Sequence, residues 1–289
     1  MSLHRSSQHP SLCDCSHLQK LPPEIRRQVL AMLDLPSLKA MVQASPTFHQ
    51  QYISERRYIL CRSLEWTLNE ALVDAYALHL CSVAVTKATA TAWGEVGEFI
   101  GVKKIYEDAA SGLGQRGNNC GFTQDEAIEV ANFYLRLVKP VLDYFTRYMQ
   151  DELAALVADH DRDSKSQVFG LTHTEMLRFT RATYRYQVMC QVGGRQVRDM
   201  RYSRDIRRGE ENNIESLFDL LQPWEVEEVV SFYQFAQHEC GIAINHVTWD
   251  LHQDNPRFDG QGRPPTPEGA FDLSNSCKPR HRFYRVLGI

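Results

Sequence analysis

Four prolines between Leu21 and Tyr52 limit how this chain can begin to fold. Pro22 and Pro23 stand together, and Pro36 and Pro46 follow at intervals too short for a long helix. A proline suits the first turn of a helix, where its missing N–H would be unpaired anyway, and disrupts later turns. Between the prolines the apolar residues keep helical spacing: Ile25, Val29 and Leu33, then Leu38, Met41 and Val42, then Phe48 and Tyr52. Asp34-Leu35-Pro36 breaks the first pattern, and Ser45-Pro46 reads as an N-cap followed by a proline at the first helical position. Three short helices joined by tight turns are expected. So small a unit cannot bury several apolar stripes against itself, so another surface is expected to cover part of it.

The helical signal continues beyond this stretch. A long pattern from about Leu64 to Ala92 carries Leu68, Leu72, Tyr76, Leu80 and Val83 on one side. Residues 94–121 are looser, and 111–121, with four glycines, reads as a loop. Thr123-Gln-Asp-Glu126 has the form of a capping box, opening a helix with Ile128, Ala131, Tyr134, Leu135 and Val138 inward. Lys139-Pro140 is expected to interrupt it, with a further helix running to about Val157. Thr172-His-Thr-Glu175 is a second capping-box match. Its helix packs through Leu177, Thr180, Arg181, Tyr184 and Val188, sends Arg178 and Arg185 outward, and stops at Gly193-Gly194. A helix over about 214–221 precedes Pro223-Trp-Glu-Val-Glu-Glu228, where an N1 proline and early acids suit a helix start. Val226, Val229, Val230, Tyr233 and Ala236 are its expected buried side, with Gly241 closing it. Strand-like alternation is scarce. The expected class is mostly α: a flexible arm over 1–18, a three-helix unit over 19–55, a larger irregular helical domain over 56–255, and a Pro- and Gly-rich tail over 256–289.

Composition narrows the function. With 289 residues and 43% hydrophobic content the chain has material for a sizeable core. A formal charge of −4 gives no global pull toward nucleic acid or an anionic membrane. No apolar run approaches a membrane span, and the polar N-terminus has no apolar leader, which predicts an unsecreted protein of cytoplasm or nucleus. The eight cysteines include no C-x-x-C pair, so they are expected to be reduced thiols rather than a zinc or disulfide framework.

Several motifs match enzymatic or binding signatures only in letters. Gly112-Leu-Gly114-Gln-Arg-Gly117 satisfies G-x-G-x-x-G, but no strand enters it and no helix leaves it to face a pyrophosphate. Asp159-His-Asp161-Arg-Asp163 begins like a calcium loop, but Ser164 and Gly170 occupy the places of its glycine and its bidentate glutamate. Arg195, Arg198, Arg201, Arg204 and Arg207 recur every third residue and would spiral round a helix; interspersed acids make a polar linker the expected reading. His238-Glu239-Cys240, His246 and His252 lack the i, i+4 spacing of a helical zinc pair. No catalytic residue, metal ligand or cofactor is predicted.

The segment 21–52 resembles the F-box. The likeness rests on Leu21-Pro22-x-Glu24-Ile25, on Val29-Leu30 and Leu33, on Pro36-Ser37-Leu38, on Met41-Val42-x-Ala44-Ser45 and on Phe48. In that family a three-helix unit docks on the Skp-family adaptor of an SCF cullin–RING ubiquitin ligase, and the chain beyond it captures the target. The resemblance therefore implies a partner that completes the opening stretch. It assigns Leu21, Pro22, Ile25, Val29, Leu30, Leu33, Leu38, Val42 and Phe48 to the adaptor face or to the packing that shapes it. The segments Thr174–Gln187 and Leu220–Glu228 look like stretches found in F-box-like proteins of filamentous fungi. The implied function is a receptor subunit that does no chemistry, bound to an adaptor, through it to a cullin, and to a protein target that the resemblance does not name. The alternative is a non-catalytic helical scaffold whose F-box-like segment packs on its own body.

Overall fold

A computed structural model describes residues 16–90, 101–114, 121–160, 171–199, 217–251, 256–258 and 260. The fold is mostly α, and no strand occurs among the described residues. The elements used below are α1 (Ser16–Gln19), α2 (Pro23–Ala31), α3 (Leu35–Ala44), α4 (Pro46–Ser54), α5 (Arg56–Leu68), α6 (Leu72–Ala90), α7 (Val102–Gly114), α8 (Gln124–Phe133), α9 (Lys139–His160), α10 (His173–Asp199) and α11 (Pro223–Leu251). The helical turn α1 overlaps the end of the arm expected over 1–18, and Lys20 and Leu21 close it by donating their amides to the His17 and Leu18 carbonyls.

The proline logic of the opening stretch holds. Pro23, Pro36 and Pro46 each lie in the first turn of α2, α3 and α4. Asp34 caps α3 by accepting from the Ser37 amide at 3.0 Å. Ser45 differs from expectation. It holds the extended N-cap conformation, but its side chain makes no capping bond and its hydroxyl instead accepts from Gln19 Nε2 at 3.1 Å. That bond ties α1 across the start of α4.

The expected long helix from Leu64 divides at Asn69, whose φ of 43° is left-handed. Asn accepts that conformation more readily than most residues. A 3₁₀ turn, Asn69–Ala71, then re-aims the chain into α6. The expected loop at 111–121 is also corrected over its first residues, since α7 continues to Gly114. Gly112 is a packing glycine rather than part of a phosphate cradle: a Cβ there would sit 3.1 Å from Tyr76 Cε1.

Lys139-Pro140 does not interrupt its helix. Tyr134–Val138 form a π turn, and the chain passes through Pro140 into α9 without leaving the helical path. A π turn widens the ladder locally, which accommodates the ring and the missing amide. Gly193-Gly194 and Gly241 likewise fail to stop α10 and α11, which run to Asp199 and Leu251. Glycine lowers helix propensity by about 1 kcal/mol, which weakens a helix without closing it. Both capping boxes form as read. Thr123 and Glu126 exchange bonds at 3.3 and 2.7 Å, and Thr172 and Glu175 do the same at 3.3 and 2.7 Å.

One apolar core runs from Leu30, Leu35, Leu38 and Phe48 through Ile59, Leu64, Leu68 and Leu78 to Tyr184 and Val229. The opening helices thus share their core with α5, and Leu35 donates its amide to Thr67 Oγ1 of α5 at 2.8 Å. A smaller aromatic core joins α9, α10 and α11: the Phe145 ring meets Phe179 and Phe235 at 4.8 Å and Phe232 at 5.7 Å. These rings turn α11 by about one residue from the expected face. Glu225, Val229, Phe232 and Phe235 are buried, while Val226, Val230, Tyr233 and Ala236 are only partly so. Cys61 is disulfide-bonded, which corrects the all-reduced expectation at that position.

Candidate functional site

The unit α2–α4 has two unlike sides. Toward the body, Leu30, Leu38 and Phe48 are buried and pack with Ile59, Leu60 and Leu64. These residues therefore shape the unit and offer no surface to a partner. Toward solvent, Pro22 and Ile25 are exposed, Ile25 at 42%, and Leu21 and Val29 are half-buried; Leu33 and Val42 are half-buried with one side packed on the core. Met32, absent from the residues assigned by resemblance, is the most open at 68%. Positions 22, 25, 29 and 32 follow the three-and-four spacing of one helical face, so the signal was present in the sequence. Leu18 of α1 is exposed as well.

Charged residues fasten the unit at its edges. Arg27 bonds Glu55 at 3.2 Å and lies over the Tyr58 ring at 5.3 Å, while Arg26 Nη1 donates to the Gln19 carbonyl at 3.2 Å. Exposed pairs of this kind contribute little stability, ~0–1 kcal/mol. They do define the polar rim beside an apolar stripe, the usual plan of a protein-binding patch.

The most heavily engineered polar feature lies elsewhere, between α6, α10 and α11. Arg185, expected to project outward, is buried; its Nε donates to Asp74 Oδ1 at 2.9 Å and its Nη2 to Glu225 Oε1 at 3.0 Å. Arg181 also bonds Glu225 and reaches Asp74 at 3.6 Å, and the Tyr106 hydroxyl donates to Asp74 at 3.1 Å. Arg181 also pairs with Glu70 at 3.8 Å, so two guanidinium groups face three carboxylates. Burial raises the Asp74 pKa, against the pull of Arg185 and Arg181. Burial and the Asp74 charge likewise keep the Tyr106 phenol protonated far above its usual range. Glu225 is held below the usual range despite burial, because the Gln222 amide and Arg185 stabilise its anion. Arg181 Nε and Arg185 Nη1 are buried without a hydrogen-bond partner, but every residue of the cluster pairs with another, which fastens α6, α10 and α11 together.

The remaining sequence candidates fall apart spatially or lie outside the described residues. His238 faces Tyr148 with ring centres 6.0 Å apart, Glu239 accepts from the Tyr144 hydroxyl at 2.7 Å, and Cys240 is exposed. His246 lies on α11 with its side chain undescribed, and His252 is outside the described residues. The Asp161–Gly170 part of the calcium-like loop and the arginine run beyond Asp199 are also outside them. Among the described residues no group of His, Cys, Asp and Glu is placed to hold a metal ion, and no helix is long and apolar enough to cross a membrane. Compared with protein-family models, curated proteins and solved structures, the chain matches none.

Proposed function

We propose that this protein is a non-catalytic substrate receptor that docks through α2–α4 on a Skp-family adaptor of an SCF cullin–RING ubiquitin ligase. The observation that carries this reading is the open apolar stripe of Pro22, Ile25, Val29 and Met32 on a unit whose opposite side is already anchored. Such a stripe, bordered by Arg26 and Arg27, is unfavourable in water and favourable under a partner. Leu21, Pro22, Ile25, Val29, Leu33 and Val42 supply the contact, and Leu30, Leu38 and Phe48 hold its shape. The helices from α5 onward then present a protein target. Their contribution is proximity: a tethered target meets a ubiquitin-charged enzyme at high effective concentration, in cytoplasm or nucleus.

A second reading, a scaffold whose opening segment serves only its own body, draws on the core shared between α2–α4 and α5. Calorimetric titration of a Skp-family adaptor into the full chain separates the two. The receptor reading predicts saturable binding, lost in Leu21→Ala/Pro22→Ala and in Ile25→Asp, with helicity by circular dichroism unchanged. An unpaired aspartate at the centre of an interface costs at least ~2 kcal/mol, about thirtyfold in affinity. A collapse of helicity in both variants, or no heat of binding with the wild-type chain, would favour the scaffold.

A further inference from the structure

Helices α9, α10 and α11 line a cleft of about 580 Å³, well within the size of natural ligand sites. Its floor is aromatic: Phe145, Phe179 and Phe235 present ring edges and faces, with Tyr148 beside them. Trp224 stands at the wall with 57% of its surface exposed, large for a tryptophan at the start of a helix. Three carboxylates, Glu175, Glu227 and Glu228, share this lining with one guanidinium, Arg178, and with His238.

The charges do not cancel. Arg178 Nε donates to Glu228 Oε1 at 2.6 Å, so the one guanidinium in the lining offsets one of its three carboxylates. The second oxygen, Glu228 Oε2, is buried without any donor, on a side chain only 9% exposed. That oxygen is closed to solvent, so the carboxylate open to a ligand on α11 is Glu227. Glu175 remains ionised because the Thr172 hydroxyl and amide hold its pKa below the usual range. Glu227 is exposed beside it. Carboxylates over aromatic faces form an environment that selects a cation, both by charge and by attraction to the ring quadrupoles.

The geometry points to a recognition pocket for an arginine side chain carried by an extended segment of a protein partner. A guanidinium is planar, weakly hydrated and rich in donors, so it can stack on Trp224 while giving hydrogen bonds to the exposed Glu227 carboxylate. The cleft is only half enclosed, and Trp224 in its lining is largely exposed. A free small ligand is ordinarily enclosed over most of its surface, whereas a peptide needs such an open flank for its main chain. The cleft lies outside α2–α4, so this inference stands whether or not that unit docks on an adaptor.

The test is a saturation-transfer NMR titration of the full chain, without adaptor, using Nα-acetyl-arginine amide, Nα-acetyl-norleucine amide and choline as probes. Arginine amide is expected to bind measurably more tightly than norleucine amide. Trp224→Ala is expected to weaken it about two- to fivefold, the contribution of one exposed cation–π contact. Trp224→Ala/Glu227→Gln is expected to bring it down to the norleucine amide level; both positions are exposed, and circular dichroism checks that the helices persist. Equal binding of the arginine and norleucine amides overturns the inference. So does arginine binding that survives the double variant, which would place it elsewhere, and so does a choline affinity above that of arginine amide, which would make the occupant a small free ammonium ion.

Discussion

Arg185 shows how much one residue can hold. Its guanidinium bonds Asp74, 111 residues away in sequence, and Glu225, 40 residues away, so α6, α10 and α11 meet at a single side chain. Nothing adjacent in sequence announces this; an arginine in an otherwise polar run reads as solvated until its distant partners are known. Removing one member of a buried ionic cluster strands the others, at a cost of about 3–5 kcal/mol. Arg185→Met is therefore expected to lose that much stability in urea unfolding, and Asp74→Leu/Arg185→Met to recover part of it. A loss under ~1 kcal/mol would mean that the cluster is not the fastening described here. Gly121 is a second such residue. A Cβ there would lie 2.1 Å from the Gly112 carbonyl oxygen, so the end of α7 and the approach to α8 touch backbone to backbone. Gly121→Ala forces these elements apart, and overpacking of this kind costs about 1–3 kcal/mol, measurable as a fall in the thermal midpoint.

At the scale of the element, short-range chemistry was legible and stopping points were not. Pro23, Pro36, Pro46, Asp34, Thr123 and Thr172 all mark helix starts as read, because a cap acts within three residues. Pro140, Gly194 and Gly241 were read as ends and are not, because a glycine weakens a helix by only about 1 kcal/mol and the π turn before Pro140 accommodates its ring. The turn of α11 by one residue has the same origin: Phe232 and Phe235 find Phe145, a contact that no local pattern contains. The capping box of α8 makes a direct prediction. Thr123→Ala should cost about 0.5–2 kcal/mol in chemical denaturation. Its partner Glu126 has a pKa held below the ordinary 4.5: burial would raise it, but the Thr123 amide and hydroxyl outweigh that. A depressed carboxylate stabilises the fold above its unfolded value, and that stability is lost as pH falls through the folded one. The stability difference between the wild-type chain and Glu126→Gln is therefore expected at neutral pH and should close below pH 4.5. A difference that persists unchanged in acid would show that the charge is not what the box uses.

For the whole molecule, the body of the protein and its opening unit are joined through one core, yet the unit keeps an uncovered apolar stripe. Half of that arrangement was legible. The spacing of Ile25, Val29 and Leu33 revealed an amphipathic helix, and the resemblance at 21–52 suggested what covers it. Which of its residues point inward depended on α5, and so Leu30, Leu38 and Phe48 were grouped with residues that remain reachable. A unit anchored on one side and open on the other is suited to joining a target-holding body to an adaptor. The most direct measurement is size-exclusion chromatography with light scattering of the full 33.3-kDa chain mixed with a Skp-family adaptor. The account predicts one peak with the combined mass of one copy of each protein, separating into two with Leu21→Ala/Pro22→Ala. A wild-type chain that elutes at its own mass beside unbound adaptor would contradict it.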